Sequence, residues 1–239
     1  MGEHSETSVL ESKFRFAGEA RPGRGAGTVA ERPDSGQTVA MTSADAIRAS
    51  FDEAARTLEA FTQSPEGLGR VPAFAEATLA TVRRKGLLMA CGNGGSMCDA
   101  MHFAEEWTGR FRGNRDAIGA VAFSDPSHLT CIANDFGYDE VFAREVEAYG
   151  KQGDLLVCLS TSGNSPNVLR AVEVAKERGV TTVGLLGKGG GKLLDQVDIA
   201  VVVPEATTSD RIQEVHIKVL HIVIEAVERE LFPGNYAAG

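Results

Sequence analysis

Leu87-Leu88-Met89-Ala90-Cys91 runs directly into Gly92-Asn93-Gly94-Gly95-Ser96, and the reading of this stretch decides the fold. A short, almost wholly apolar run predicts a strand covered on both faces, as in a parallel sheet. The glycines after it let backbone approach a ligand closely, and the loop ends where a helix begins, so its amide groups favour an anion. A dinucleotide fingerprint would need a further glycine at position 97, where the chain has Met97.

Four more runs of the same kind follow, Ala117 to Phe123, Leu155 to Leu159, Thr181 to Leu186 and Ile199 to Val203. Helical patterns fall between them at Met97 to Phe111, Ser127 to Asn134, Tyr138 to Tyr149 and Pro166 to Arg178, with a last one from Ser209 to Leu231. Strands alternating with helices predict an α/β fold, a three-layer α/β/α sandwich with a five-stranded, mainly parallel sheet. Upstream, Thr42 and Asp45 make a capping-box-like start for a helix carrying Ile47, Phe51, Ala54, Leu58 and Phe61 at helical spacing. Pro72 opens a second helix and Gly86 closes it, so residues 41–86 read as a helical hairpin. Residues 1–40 are rich in Gly, Ser, Arg, Glu and Pro without a sustained period and read as a disordered tail. The expected organisation is one domain over 41–239, with the sandwich over 87–232 and a short tail over 233–239.

The chain has 239 residues, 43% of them hydrophobic, and a net charge of -9, which suits a globular domain and excludes collagen-like, coiled-coil and wholly disordered classes. The acidic balance argues against nucleic-acid and anionic-membrane partners, so a phosphate ligand must be held by local donors. Cys91, Cys98, Cys131 and Cys158 form no C-x-x-C pair and lie in apolar or helical contexts, which predicts buried, reduced thiols and a cytoplasmic setting. No apolar run approaches the length of a membrane span.

Ligands of such sheets bind beyond the carboxyl ends of the strands. After the third strand, Ser160-Thr161-Ser162-Gly163-Asn164-Ser165-Pro166 gathers hydroxyls around a turn, with Ser165 a candidate N-cap and Pro166 at the first helical position. Hydroxyls, amides and a helix dipole together bind phosphate without lysine or arginine. Gly92 to Ser96 with Ser160 to Ser165 resemble the sugar-phosphate-binding loops of the sugar isomerase (SIS) fold, over roughly residues 41–232.

In the helix after the first loop, His102 and Glu106 are four residues apart and share a face, while Glu105 points about 100° away. The last helix carries Gln213, His216 and His221. Gln213 and His221 are about 12 Å apart in rise, so they converge on one ion only if it sits between them. The residues alone leave a second reading open, in which His216 faces solvent and His221 is a satisfied core histidine.

The combination of His102-Phe103-Ala104-Glu105-Glu106 with Asp210-Arg211-Ile212-Gln213-Glu214-Val215-His216 through His221 resembles the bacterial phosphoheptose isomerase family. That resemblance implies one zinc ion per subunit held by His102, Glu106, Gln213 and His221, with Glu106 and His221 as catalytic base and acid. It also implies substrate contacts from Asn93, Gly94, Gly95, Ser96, Glu106, Asn134, Asp135, Ser160, Thr161, Ser162, Ser165 and Gln213, with Arg110 and Asp210 lining the site. The implied reaction converts sedoheptulose 7-phosphate to D-glycero-D-manno-heptose 7-phosphate, towards nucleotide-activated heptoses for lipopolysaccharide or other products, in a homotetramer. A rival reading is a non-catalytic SIS protein that binds a sugar phosphate or a protein partner such as a replication initiator; such proteins tend to lack the acid/base pair.

Overall fold

The computed structural model describes residues 42–204, 206 and 208–236; the tail expected over residues 1–40 lies outside them. Five strands, β1 (Leu88–Gly92), β2 (Ala120–Ala122), β3 (Leu155–Ser160), β4 (Thr181–Gly187) and β5 (Ile199–Val203), form one sheet in the order β2-β1-β3-β4-β5. Every neighbouring pair is parallel, with Leu88 opposite Leu155 and Cys91 opposite Cys158. The chain leaves β1 for one side of it and returns on the other, so the strand order reverses between β1 and β3. The glycine and serine loops therefore flank the crevice where ligands of such sheets bind.

Alternation along the strands sorts side chains into two cores. Leu155, Val157 and Leu159 face the helices α1 (Ser43–Gln63), α2 (Val71–Arg83), α3 (Gly95–Thr108) and α7 (Ser209–Leu231). Leu156 and Cys158 face α4 (Pro126–Asp135), α5 (Ala143–Tyr149) and α6 (Pro166–Glu177). The three-layer expectation holds, and the sheet is parallel throughout. No helix among the described residues is long and apolar enough to cross a membrane.

Several details differ from the sequence reading. Thr42 caps α1 as its pattern predicts, its hydroxyl accepting from the Asp45 amide at 3.2 Å. Yet Phe51 and Ile47 are 74% and 59% exposed, so the front of the apolar stripe finds no cover among the described residues, whereas Phe61 is buried. The helix expected over Tyr138 to Tyr149 starts as a 3-10 turn at Tyr138–Glu140 and becomes α-helical only at Ala143, after Gly137 turns the chain at φ +97°. Pro233–Tyr236, expected in a tail, form a 3-10 turn whose Tyr236 hydroxyl donates to Glu228 Oε2 at 2.9 Å. Of the four cysteines only Cys91 and Cys158 are buried; Cys98 and Cys131 sit on outward faces of α3 and α4.

Glu145 of α5 is buried, one carboxylate oxygen has no hydrogen-bond partner, and His128 Nε2 is 3.9 Å from it. Burial, with the negative Asp125 nearby, pushes its carboxyl up to about 7. Between pH 4.5 and about 7 the folded protein holds a proton that the unfolded chain releases, so stability falls as pH rises through that window. Glu145→Gln removes this fall: relative to wild type it gains up to about 3 kcal/mol at pH 8 and little at pH 4. Urea titrations at both pH values measure the difference.

Candidate active site

The glycine loop is shaped by its neighbours. Gly94, at φ +57°, stands at the N-cap of α3 in a conformation few side chains adopt. A Cβ on Gly95 would lie 2.6 Å from Gln213 Oε1, so glycine lets the Gln213 amide reach the loop. Gln213 Nε2 donates to the buried Ser96 hydroxyl at 3.4 Å. Asn93 is held from two sides: its amide exchanges hydrogen bonds of 2.9 Å with Asn167 of α6, and its Oδ1 also accepts from Tyr138 Oη at 3.0 Å. Asn134 donates to Asp135 at 2.8 Å, both exposed at the end of α4.

The serine loop closes on itself. Ser160 Oγ accepts from the Gly163 amide at 3.2 Å and pairs with Ser165 Oγ at 3.2 Å. Ser165 occupies the N-cap position of α6, but its side chain makes no capping bond, so capping does not consume this hydroxyl. Ser162 Oγ accepts from the Asn164 amide, and Thr161 Oγ1 lies 3.1 Å from Ser209 Oγ at the start of α7. The loop after β4, Gly187-Lys188-Gly189-Gly190-Gly191-Lys192, braces the serine loop: Leu193 N donates to Gly163 O at 3.0 Å and Lys192 N to Asn164 Oδ1 at 3.1 Å. Sequence reading passed over this loop, although three successive glycines beyond a strand were its signal.

Gly163 combines φ +64° with a would-be Cβ only 1.8 Å from Gly190 O. Gly163→Ala therefore forces the two loops apart and costs roughly 2–3 kcal/mol. A lowered denaturation midpoint, together with a raised KM for a phosphorylated substrate in the protein that remains folded, is the expected result.

Helices α3 and α7 lie side by side, and the chain meets α7 in matching order: Gln213 against Ser96, His221 against His102 and, just past the end of α3, Glu225 against Arg112. His102 Nε2 stands 3.2 Å from Glu106 Oε1 and 3.4 Å from His221 Nε2, and the two imidazoles meet edge-on with centroids 4.8 Å apart. Ligand atoms of His102, Glu106 and His221 all lie within 4.8 Å of one another, a group able to hold a metal ion. Two imidazole nitrogens and a carboxylate oxygen are a donor set that suits zinc. Glu105, expected to point away, is exposed, but its carboxylate is still 3.7 Å from His102 Nε2.

Gln213 contacts the glycine loop. Its amide lies at Gly95 and Ser96, two helical turns before His221. Arg110 is exposed just past the end of α3, and Asp210 is exposed in the first turn of α7, where a hydrogen bond from Thr208 holds its carboxyl below the usual range. The alternative assignment of the two α7 histidines is reversed: His216 is 1% exposed and bonds Leu186 O through Nε2 at 3.1 Å, while His221 is half-buried beside His102. Burial drives His216 down to about 4 and so keeps it neutral. His221 is also lowered, first by burial and then by repulsion from His102, with Glu106 pulling the other way. Met97 is half-buried against the core on the α4–α6 side.

Comparison with known proteins now adds to this geometry. The SIS domain family model matches residues 50–187, a span that includes both loops, His102 and Glu106 but ends before α7. A phosphoheptose isomerase of Vibrio parahaemolyticus is 51% identical over 187 residues, 78% of this chain and 98% of that protein. Among solved structures, the phosphoheptose isomerase of Neisseria gonorrhoeae is 38% identical with a TM-score of 0.73 over 78% of this chain and 99% of its own. That of Francisella tularensis is 29% identical with a TM-score of 0.75, over 79% and 100%. At this likeness and coverage, the chain belongs to the SIS-domain family and, within it, to the phosphoheptose isomerases, a family of sugar-phosphate isomerase enzymes.

Proposed function

We propose that the chain converts sedoheptulose 7-phosphate to D-glycero-D-manno-heptose 7-phosphate, the first step towards nucleotide-activated heptoses, with one zinc ion per subunit. The observation that carries this reading is the convergence of His102, Glu106 and His221 on facing helices, on a scaffold that also presents two anion-favouring loops.

The ketose and its aldose isomer differ by one proton moved from C1 to C2 and by the position of the carbonyl. The reaction needs a base for carbon, an acid/base for oxygen and stabilisation of the enediolate between them. Glu106 takes the proton from C1 and returns it to C2. Its Oε1 faces His102, which leaves Oε2 for the proton. His221 moves a proton between the two oxygens; its burial favours the neutral imidazole, the form with a free ring nitrogen for that proton. His102, Glu106 and His221 would hold the ion, which when bound supplies Lewis-acid polarisation of the carbonyl. Gln213 is assigned both to the metal and to the substrate by family resemblance, and its place beside Gly95 and Ser96 supports the substrate role.

Ser160, Thr161, Ser162 and Ser165 take the phosphate, with the N-terminus of α6 behind them. Asn93, Gly94, Gly95 and Ser96 present backbone and side-chain donors to the sugar, while Asn134, Asp135, Arg110 and Asp210 border the site. The reading carries with it a single catalytic domain over 41–239 and a cytoplasmic homotetramer without nucleic-acid or membrane partners. The exposed Ile47 and Phe51 of α1 and Ile222 of α7 are apolar surface suited to subunit contacts.

The test is turnover of sedoheptulose 7-phosphate before chelation, after exhaustive chelation and after zinc is returned. Activity that disappears with the metal and returns with it is expected. Undiminished turnover in chelated protein would contradict the metal assignment.

A further inference from the structure

We propose that Arg115, locked by Glu228 and Tyr236, is a positioning residue that holds Glu106 and His102 in register with His221; the inference rests on the active-site reading above. The Arg115 guanidinium uses all of its nitrogens. Nε donates to Glu228 Oε1 at 2.6 Å, and Nη2 donates to the backbone carbonyl of Glu106 at 2.7 Å. Nη1 donates to the carbonyls of Trp107, Gly109 and Asp116 at 2.8, 3.3 and 3.1 Å. The last carbonyls of a helix have no partner within it, so one guanidinium caps the end of α3 at the residue whose carboxylate faces His102.

The other half of the lock belongs to α7. Glu228 follows His221 by seven residues, which puts both on one face two turns apart. Neither the Arg115 nor the Glu228 side chain has any solvent exposure. The second Glu228 oxygen accepts from Tyr236 Oη, and the Asn235 amide donates to Asn114 O at 3.2 Å, so the C-terminal turn closes over the pair. Arg115 also stacks against Trp107 and Phe232, with its carbon 5.8 and 6.0 Å from the two ring centroids. A fixed, planar fork between the Glu106 backbone and α7 leaves the two helices little freedom to slide exactly where their relative position sets the His102–His221 approach. Supporting partners of this kind are typically worth 10–100-fold in metal affinity or activity.

The experiment compares wild type with Tyr236→Phe and Arg115→Lys, with Val172→Ala on the far side of the sheet as a destabilised control. Three quantities are read at one fixed pH: histidine side-chain NMR signals of the metal-free protein, cobalt affinity by absorbance titration, and kcat and KM with sedoheptulose 7-phosphate. In both lock variants the His102 and His221 signals shift while His128 stays in place. Cobalt affinity and kcat fall by roughly 10-fold or more and KM changes less than about threefold. Val172→Ala lowers the thermal midpoint without these changes. If the His102 and His221 signals and the cobalt affinity of both lock variants match wild type, the positioning role is overturned and the network is structural only. If the signals shift in a protein whose wild type turns over no sugar phosphate, the positioning role stands and the isomerase reading falls.

Discussion

Glu106→Gln yields a folded protein whose kcat on sedoheptulose 7-phosphate is lower by roughly 10²–10⁴-fold, the usual contribution of a general base. Glutamine keeps the size of the side chain and one oxygen towards His102, so the packing of α3 on α7 survives. What it lacks is a basic oxygen for the C1 proton. Because the phosphate loops are untouched, KM changes by only a few-fold, and the loss sits in kcat, as for a group whose work is done in the transition state. Thermal denaturation shows that the fold is retained, and NMR of the reaction mixture measures the turnover. A normal kcat in this variant would remove Glu106 from the proton transfer.

Glu228→Leu destabilises the protein by about 3–5 kcal/mol, the cost of breaking a fully buried ion pair by removing one partner. The loss is large because Arg115 remains charged, without solvent exposure and without its counter-ion. Arg115→Met combined with Glu228→Leu recovers much of the stability, since no buried charge is then left uncompensated. Recovery is incomplete because the carbonyls of Glu106 and Gly109 lose the guanidinium donor, while Trp107 O keeps only the Ile118 amide. Urea denaturation of the two single variants and the double variant gives the coupling directly.

Periodicity carried much of the architecture. β1, β3, β4 and β5 fall within a residue or so of the apolar runs that predicted them, because a strand covered on both faces must be apolar at nearly every position. β2, one of the two edge strands, is shorter than its run, pairing with β1 only over Ala120–Ala122. The glycine and serine loops were legible from residue types that few other local structures need. Side-chain direction was less so: helical context alone does not tell which way Cys98, Cys131 or His216 points, and their faces are set by packing across layers. The stripe of Ile47 and Phe51 was visible, but a stripe does not reveal whether its cover lies within the chain. The Arg115–Glu228 lock was invisible because its two halves are 113 residues apart and neither belongs to a motif.

The most direct measurement is to add purified full-length, zinc-loaded protein to sedoheptulose 7-phosphate and follow the sugar carbons by NMR until the mixture stops changing. Appearance of D-glycero-D-manno-heptose 7-phosphate, with the same final mixture reached from the aldose side, is the predicted result. A folded, metal-loaded protein that leaves both sugar phosphates unchanged would contradict the assignment.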